Sequence, residues 1–221
     1  MRVVISLGGS LIVPDEIDKE FIYSFIDLIK EYVDKGFEFV IIIGGGKTCR
    51  KYNQVLKNPS NEELDWLGIA ATRLNAELIK IAFGDLAYEK VLMDPDKLPD
   101  TNKHVIVGGG WKPGNSSDLA AIHTTQSFKA SKVINLSNID FVYNKDPRKF
   151  DDAEPITKTT WSEFMKIIPS EWKPGINVPF DPVAARKAQE LNLEVVIMNG
   201  KNLNNLRSYL DSQEFEGTLI K

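Results

Sequence analysis

The stretch VIIIGGGKTCRKYN, Val40 to Asn53, sets the problem. A run of β-branched residues ends in three glycines, and Gly46-Lys47-Thr48 has the tail of a nucleotide-binding P-loop. A P-loop reads G-x-x-x-x-G-K-[ST] and needs glycine at position 41, where isoleucine stands. The dinucleotide fingerprint G-x-G-x-x-G fails as well, because its third glycine would fall on Cys49. The segment reads as a buried strand turning through glycine into a helix, in a fold other than those two.

The same device recurs outward from it. ISLGGSL (5–11) and VIVGGGWKPGNSSD (105–118) also place glycines after an apolar run. Further Val/Ile-rich runs lie at residues 133–136 and 195–198, and runs apolar on both faces suit a parallel sheet buried between helices. Helical periodicity separates them. In residues 19–35 Phe21, Ile22, Phe25, Ile29, Tyr32 and Val33 recur every three or four positions, with Gly36 as the stop. Residues 62–82 form a second helical pattern and 182–191 a third, with Asp181 as N-cap and Pro182 at the first helical position. Strands alternating with helices predict a doubly wound α/β fold.

Composition narrows the function classes. The chain has 221 residues, 43% hydrophobic and 26% charged, and a net charge of −4, so its surface as a whole does not attract nucleic acid. One cysteine excludes an internal disulfide framework and suits a reducing cytosol, and two histidines make a structural zinc site implausible; no metal ligand is assigned. No stretch has the ~18 apolar residues of a membrane span, and the first residues lack a signal peptide's apolar region. The expected location is the cytoplasm. There is no internal repeat, and the polar loops at 94–103, 144–160 and 169–179 do not resemble linkers, so a single unit over 1–221 is expected.

In an open parallel sheet, ligands bind beyond the carboxyl ends of the strands. Glycine there lets backbone N–H groups approach a phosphate, and the following helix N-terminus adds partial positive charge. One such turn is explained by geometry alone; three point to an anion site. Lys47 and Arg50 lie three apart at a helix start, and a guanidinium can hold phosphate bidentately. Asp118 closes the third loop among serines that can also cap a helix. Asp65, Gly68, Thr72 and Asn75 share one quadrant of a helix and suit a sugar or base pressed on that face. Tyr143 can pack on an adenine and Asp146 accept from its ribose, or the segment is a hairpin with an Asp-Pro turn. The four tryptophans receive no role, and His104 and His123 are read as structural.

Taken in order, SLGGSL, GGGKTCRKYN, DWLGIAATRLNA (65–76), GGGWKPGNSSDLAA (108–121), SNIDFVYNKDP (137–147) and KPGINVPFDPVAA (173–185) resemble the amino acid kinase family and, within it, the archaeal type of UMP kinase. The resemblance implies a three-layer αβα sandwich around a mainly parallel sheet of about eight strands. It implies phosphoryl transfer from ATP to UMP with Mg²⁺, in a homo-oligomer of the hexamer-of-dimers type. The N-terminal part, about 1–130, would take UMP and the remainder, about 131–221, ATP. By position, Gly45, Asp65 and the run Lys112, Pro113, Gly114, Asn115, Ser116, Ser117 and Asp118 match UMP contacts, to which the polar stripe adds Thr72 and Asn75. Gly9, Ser10, Gly46, Arg50, Ser137, Tyr143 and Asp146 match the ATP side. Asp118 matches the aspartate that organises the catalytic centre, and Arg50 is the expected cation for the transferred group. Ser6 stands where many relatives carry lysine. Open alternatives are a kinase of the same fold acting on a small carboxylate or an isoprenoid monophosphate, or a non-catalytic nucleotide-binding oligomer.

Overall fold

The Val/Ile-rich runs fold as strands covered on both faces. β1 (Arg2–Leu7) is followed by one helical turn, α1 (Gly9–Ile12), and by α2 (Lys19–Asp34). β2 (Glu38–Ile43) leads into α3 (Gly46–Asn53) and the long α4 (Asn61–Phe83). β3 (Val105–Gly108), α5 (Ser117–Phe128) and β4 (Lys132–Ser137) come next, then the short strands β5 (Val142–Tyr143), β6 (Pro155–Ile156) and β7 (Lys158–Thr159). The chain ends with α6 (Trp161–Ile167), α7 (Pro182–Glu190), β8 (Glu194–Asn199), α8 (Leu203–Leu210) and β9 (Thr218–Ile220). The computed structural model describes residues 1–171 and 178–221. Trp172 and the start of the 173–185 stretch therefore lie outside the described residues.

Among the described residues the main sheet has seven strands in the order β3-β2-β1-β4-β8-β9-β7. That is one fewer than the expected eight or so, because β5 and β6 pair with each other as a separate antiparallel ribbon. β1, β2, β3, β4 and β8 run parallel, while β9 is antiparallel to β8. Period-two alternation sends neighbouring side chains into two different cores. Val3, Ile5, Leu7, Ile41 and Ile134 pack with α2, α4 and α8, whereas Val4, Val40, Ile42, Val133 and Val195 pack with α5, α6 and α7. Truncating a fully buried side chain such as Ile5 or Ile41 to alanine costs about 2–5 kcal/mol. Two polar side chains break the second face: Ser6 and Asn135, direct neighbours in the β1–β4 register.

Local signals set the helix ends. Asp18 caps α2 by accepting from Phe21 N–H, and Gly36 at φ +85° lets the chain leave that helix. Ser60 and Glu63 form a capping box at α4, and Asp181 caps α7 with Pro182 at its first position.

Candidate active site

β1 lies between β2 and β4, and the strand order runs away from it in both directions. That is the topological switch point, and its carboxyl edge carries the site. Two glycine loops interlock there. Gly8 N–H donates to Leu136 O and Gly44 N–H to Leu7 O, each at 2.9 Å. A Cβ on Gly9 would sit 2.2 Å from Gly44 O, and one on Gly46 would sit 2.3 Å from the Gly9 carbonyl carbon. Gly46 also has φ +57°, which only glycine adopts without strain. The glycines are needed first so that the loops after β1 and β2 can touch backbone to backbone. This contact points the N-termini of α1 and α3 into one crevice.

The third glycine loop, after β3, is held by α4. Thr72 Oγ1 donates to Ile69 O at 2.7 Å and accepts from Gly110 N–H at 2.6 Å. Arg73 donates to the carbonyls of Gly110 and Trp111, both at 3.1 Å. Asp65 accepts from Gly114 N–H at 2.7 Å. Ser116 Oγ accepts from Leu119 N–H at 3.1 Å and starts α5.

Asp118, in the first turn of α5, is the most heavily bonded carboxylate of the crevice. Ser6 Oγ and Asn135 Nδ2 both donate to its Oδ1, at 2.9 and 2.8 Å, and Asp181 N–H donates to Oδ2 at 3.3 Å. Burial pushes this carboxyl up to about 6, helped by repulsion from Asp181 and opposed by the three donors. The crevice has a cavity volume of about 590 Å³. Its walls bring together Ser10, Gly45 and Gly46 with Arg50, Asp65, Thr72, Asn115, Ser116, Ser117 and Asp118. Arg50 is the single cation among the described lining residues, against the carboxylates of Asp65, Asp118 and Asp181. Glycine loops, helix N-termini and a guanidinium are elements from which phosphoryl-binding sites are built.

Residues 1–199 match the amino acid kinase family. The chain belongs to that family. Uridylate kinase of Methanobrevibacter smithii is 33% identical over 220 residues, covering 97% of this chain and 96% of that protein. Uridylate kinase of Sulfurisphaera tokodaii is 32% identical over 233 residues, covering 100% and 99%. The crystal structure of uridylate kinase from Archaeoglobus fulgidus superposes with a TM-score of 0.84 at 31% identity over the whole of both chains. UMP kinase from Bacillus anthracis, at 18% identity and TM-score 0.76, covers all of this chain and 95% of its own and shares the fold.

Several residues singled out for this amino acid kinase lie off the cavity wall. Asn75, which the helical stripe placed against a ligand, does not line the cavity. It is 3% exposed and donates to Gly44 O at 3.0 Å and Gly45 O at 3.4 Å, bracing the second glycine loop. Gly9 makes the loop contact. Lys112 rests over the Trp111 ring at 3.8 Å, and Lys47 pairs with Asp15 at 2.7 Å. Pro113, Gly114 and Ser137 border the crevice loops without lining it. Tyr143 pairs with Pro155 in the β5–β6 ribbon. Asp146 is engaged by Arg148, whose Nε and Nη2 approach at 3.0 and 3.2 Å and hold the carboxyl below its usual range.

Sequence reasoning passed over Cys49, Asn53 and Asn138 on the cavity wall, Asp181 as more than a cap, and Arg73 and Asn135 behind it. Only Asp181 carried a signal, its position before a helix-starting proline. The others are brought in by strand order and helix packing. His104 is exposed just before β3, and His123 lies tilted against Trp111, ring centroids 5.2 Å apart, with Nδ1 3.2 Å from Asp96.

Proposed function

We propose that the protein transfers the γ-phosphoryl group of MgATP to UMP, giving ADP and UDP in pyrimidine nucleotide synthesis. The observation that carries this is the crevice itself, an anion site of interlocked glycine loops and Arg50, in a chain similar along its whole length to uridylate kinases. An acceptor phosphate is already ionised near neutral pH, so no general base is needed, and alignment and charge stabilisation suffice. An oxygen of the UMP phosphate attacks the γ-phosphorus as its bond to the β–γ bridging oxygen breaks, and ADP leaves with those electrons. Mg²⁺ bound to ATP would supply positive charge beyond that of Arg50, the single cation among the described residues of the wall.

In this reading Gly45, Asp65, Thr72 and the loop from Lys112 to Asp118 form the acceptor side. Gly9, Ser10, Gly46, Ser137, Tyr143 and Asp146 serve ATP, and Arg50 reaches the phosphate in flight. Residues 1–221 act as one unit in the cytoplasm. No helix among the described residues is long and apolar enough to cross a membrane. Assembly into a homo-oligomer is supported by one face of α4, where Trp66, Leu74 and Ile81 are 50%, 64% and 66% exposed. Leu74→Glu with Ile81→Glu should lower the sedimenting mass if that face meets a second copy. The activity is tested by coupled ADP release over UMP, CMP, AMP, carbamate and isopentenyl phosphate. Turnover confined to a non-nucleotide acceptor would replace this reading with a different kinase of the same fold.

A further inference from the structure

Asn135 lies outside the cavity wall, at the centre of the sheet. It is 5% exposed, and its strand neighbours Val133 and Ile197 on the same face are fully buried apolar residues of the core under α5 and α7. A side chain that only filled this space would be apolar like them. The amide is instead held so that Nδ2 donates to Asp118 Oδ1 at 2.8 Å, while its own Oδ1 is buried with no partner among the described residues. A buried carbonyl left without a donor costs stability, so the donated bond is obtained at a loss elsewhere. Across the β1–β4 register, Ser6 donates to the same oxygen at 2.9 Å. Both donors rise from the sheet to Oδ1, and Oδ2 is left on the side of Asp181, which lines the cavity with Asp118.

We propose that Asn135, assisted by Ser6, is a positioning residue that keeps the Asp118 carboxylate ionised and fixed beneath the phosphoryl groups. The inference rests on the UMP kinase reading for its kinetic test. The surroundings make the device necessary. Asp118 faces the carboxyl of Asp181 from α7, the neutral Ser6 and Asn135 from β1 and β4, and across the cavity Arg50 of α3 and Asp65 of α4. No cation touches it among the described residues, so neutral donors must stabilise its charge. An ionised Asp118 can attract the Arg50 guanidinium on the same wall; a protonated one cannot.

Asn135→Leu removes the donor without adding charge, and the isosteric Asn135→Asp replaces it with a like charge. Losing one hydrogen bond to a carboxylate raises its pKa by about one unit, so the acid limb of kcat/KM should move up by about that much. In Asn135→Asp it should move further. The limb set by the second ionisation of the UMP phosphate, near about 6, belongs to the substrate and stays in place in every variant. With the wild-type midpoint at about 6, the deficit of Asn135→Leu therefore approaches about tenfold below that pH, is about twofold at pH ~7 and disappears as pH rises further. Ser6→Ala should shift the limb in the same direction.

A ¹³C-carboxyl NMR titration of the protein without substrates, with Asp118 assigned by its loss in Asp118→Asn, reads the same change. The Asp118 midpoint should rise in Asn135→Leu. A kcat/KM lowered by the same factor at every pH, with an unmoved Asp118 midpoint, would make Asn135 a structural filler and overturn the proposal. If wild type shows no turnover with UMP, the activity reading fails while the NMR midpoint still decides this one.

Discussion

Arg50→Ala removes the single cation among the described residues of the cavity wall. Three carboxylates share that wall, and two phosphate-bearing substrates add negative charge to it. The other basic residues of the glycine loops are engaged, Lys47 with Asp15 at 2.7 Å and Lys112 over Trp111 at 3.8 Å. A pair of unit charges ~4 Å apart is worth about 4 kcal/mol at an effective dielectric of ~20. Arg50 is exposed when no substrate covers it, so water screens part of that until the site fills. Loss of one preorganised charge-stabilising donor costs about 10²–10³ in kcat, or ~2.7–4 kcal/mol, which lies within that ceiling. Coupled ADP release at saturating UMP and MgATP should show Arg50→Ala reduced by about 10²–10³ in kcat. Lys47→Ala should lose less. Arg50→Lys should fall between, because an ammonium keeps the charge but not the bidentate fork. An Arg50→Ala enzyme within about threefold of wild type would refute the assignment and put the charge on the metal or a neighbouring subunit.

Asp65→Ala should raise KM for UMP far more than for ATP, since Asp65 lines the cavity and holds Gly114 N–H at 2.7 Å; a larger effect on ATP would mean the two halves of the site are exchanged. Gly46→Ala should destabilise the protein by about 1 kcal/mol from φ alone and by more from its overlap with Gly9. Thermal melts check this, and an unchanged Tm would show that the loops can part at little cost. Glu31 is held down from 4.5 to about 2, chiefly by the hydrogen bond from Arg207 and then by that from Lys35. A depressed carboxylate adds stability above its unfolded value that is lost as pH falls. Arg207→Ala should therefore lower Tm at neutral pH, with the gap to wild type closing between about 4.5 and 2. A gap that persists unchanged in acid would assign the effect to packing.

The five parallel strands β1, β2, β3, β4 and β8 and the helices α2, α4 and α7 were legible in the sequence, because apolar runs and period 3.6 are properties of consecutive residues, whereas the two- and three-residue strands β5, β6, β7 and β9 are too short to show a pattern. Gly36, Asp181 and Pro182 were legible for the same reason: caps and stops act within one turn. The three glycine loops could be located, and their common purpose inferred, from strand-glycine-helix order alone. Which side chains meet at those loops was decided by the tertiary structure. Asn75 and Thr72 sit three residues apart on one helix, yet the packing of α4 turns Asn75 onto Gly44 and Gly45 and leaves Thr72 on the cavity wall. Asp146 reads as a free acceptor until its turn brings Arg148 onto it. Ser6, Asn135, Asp118 and Asp181 are scattered along the chain and become one hydrogen-bonded cluster through β1–β4 pairing and the placement of α5 and α7 over that face. Local sequence fixes which way a residue points on its own element. Only the crossing of the chain from β3 to β4, to the far side of β1, determines what it points at.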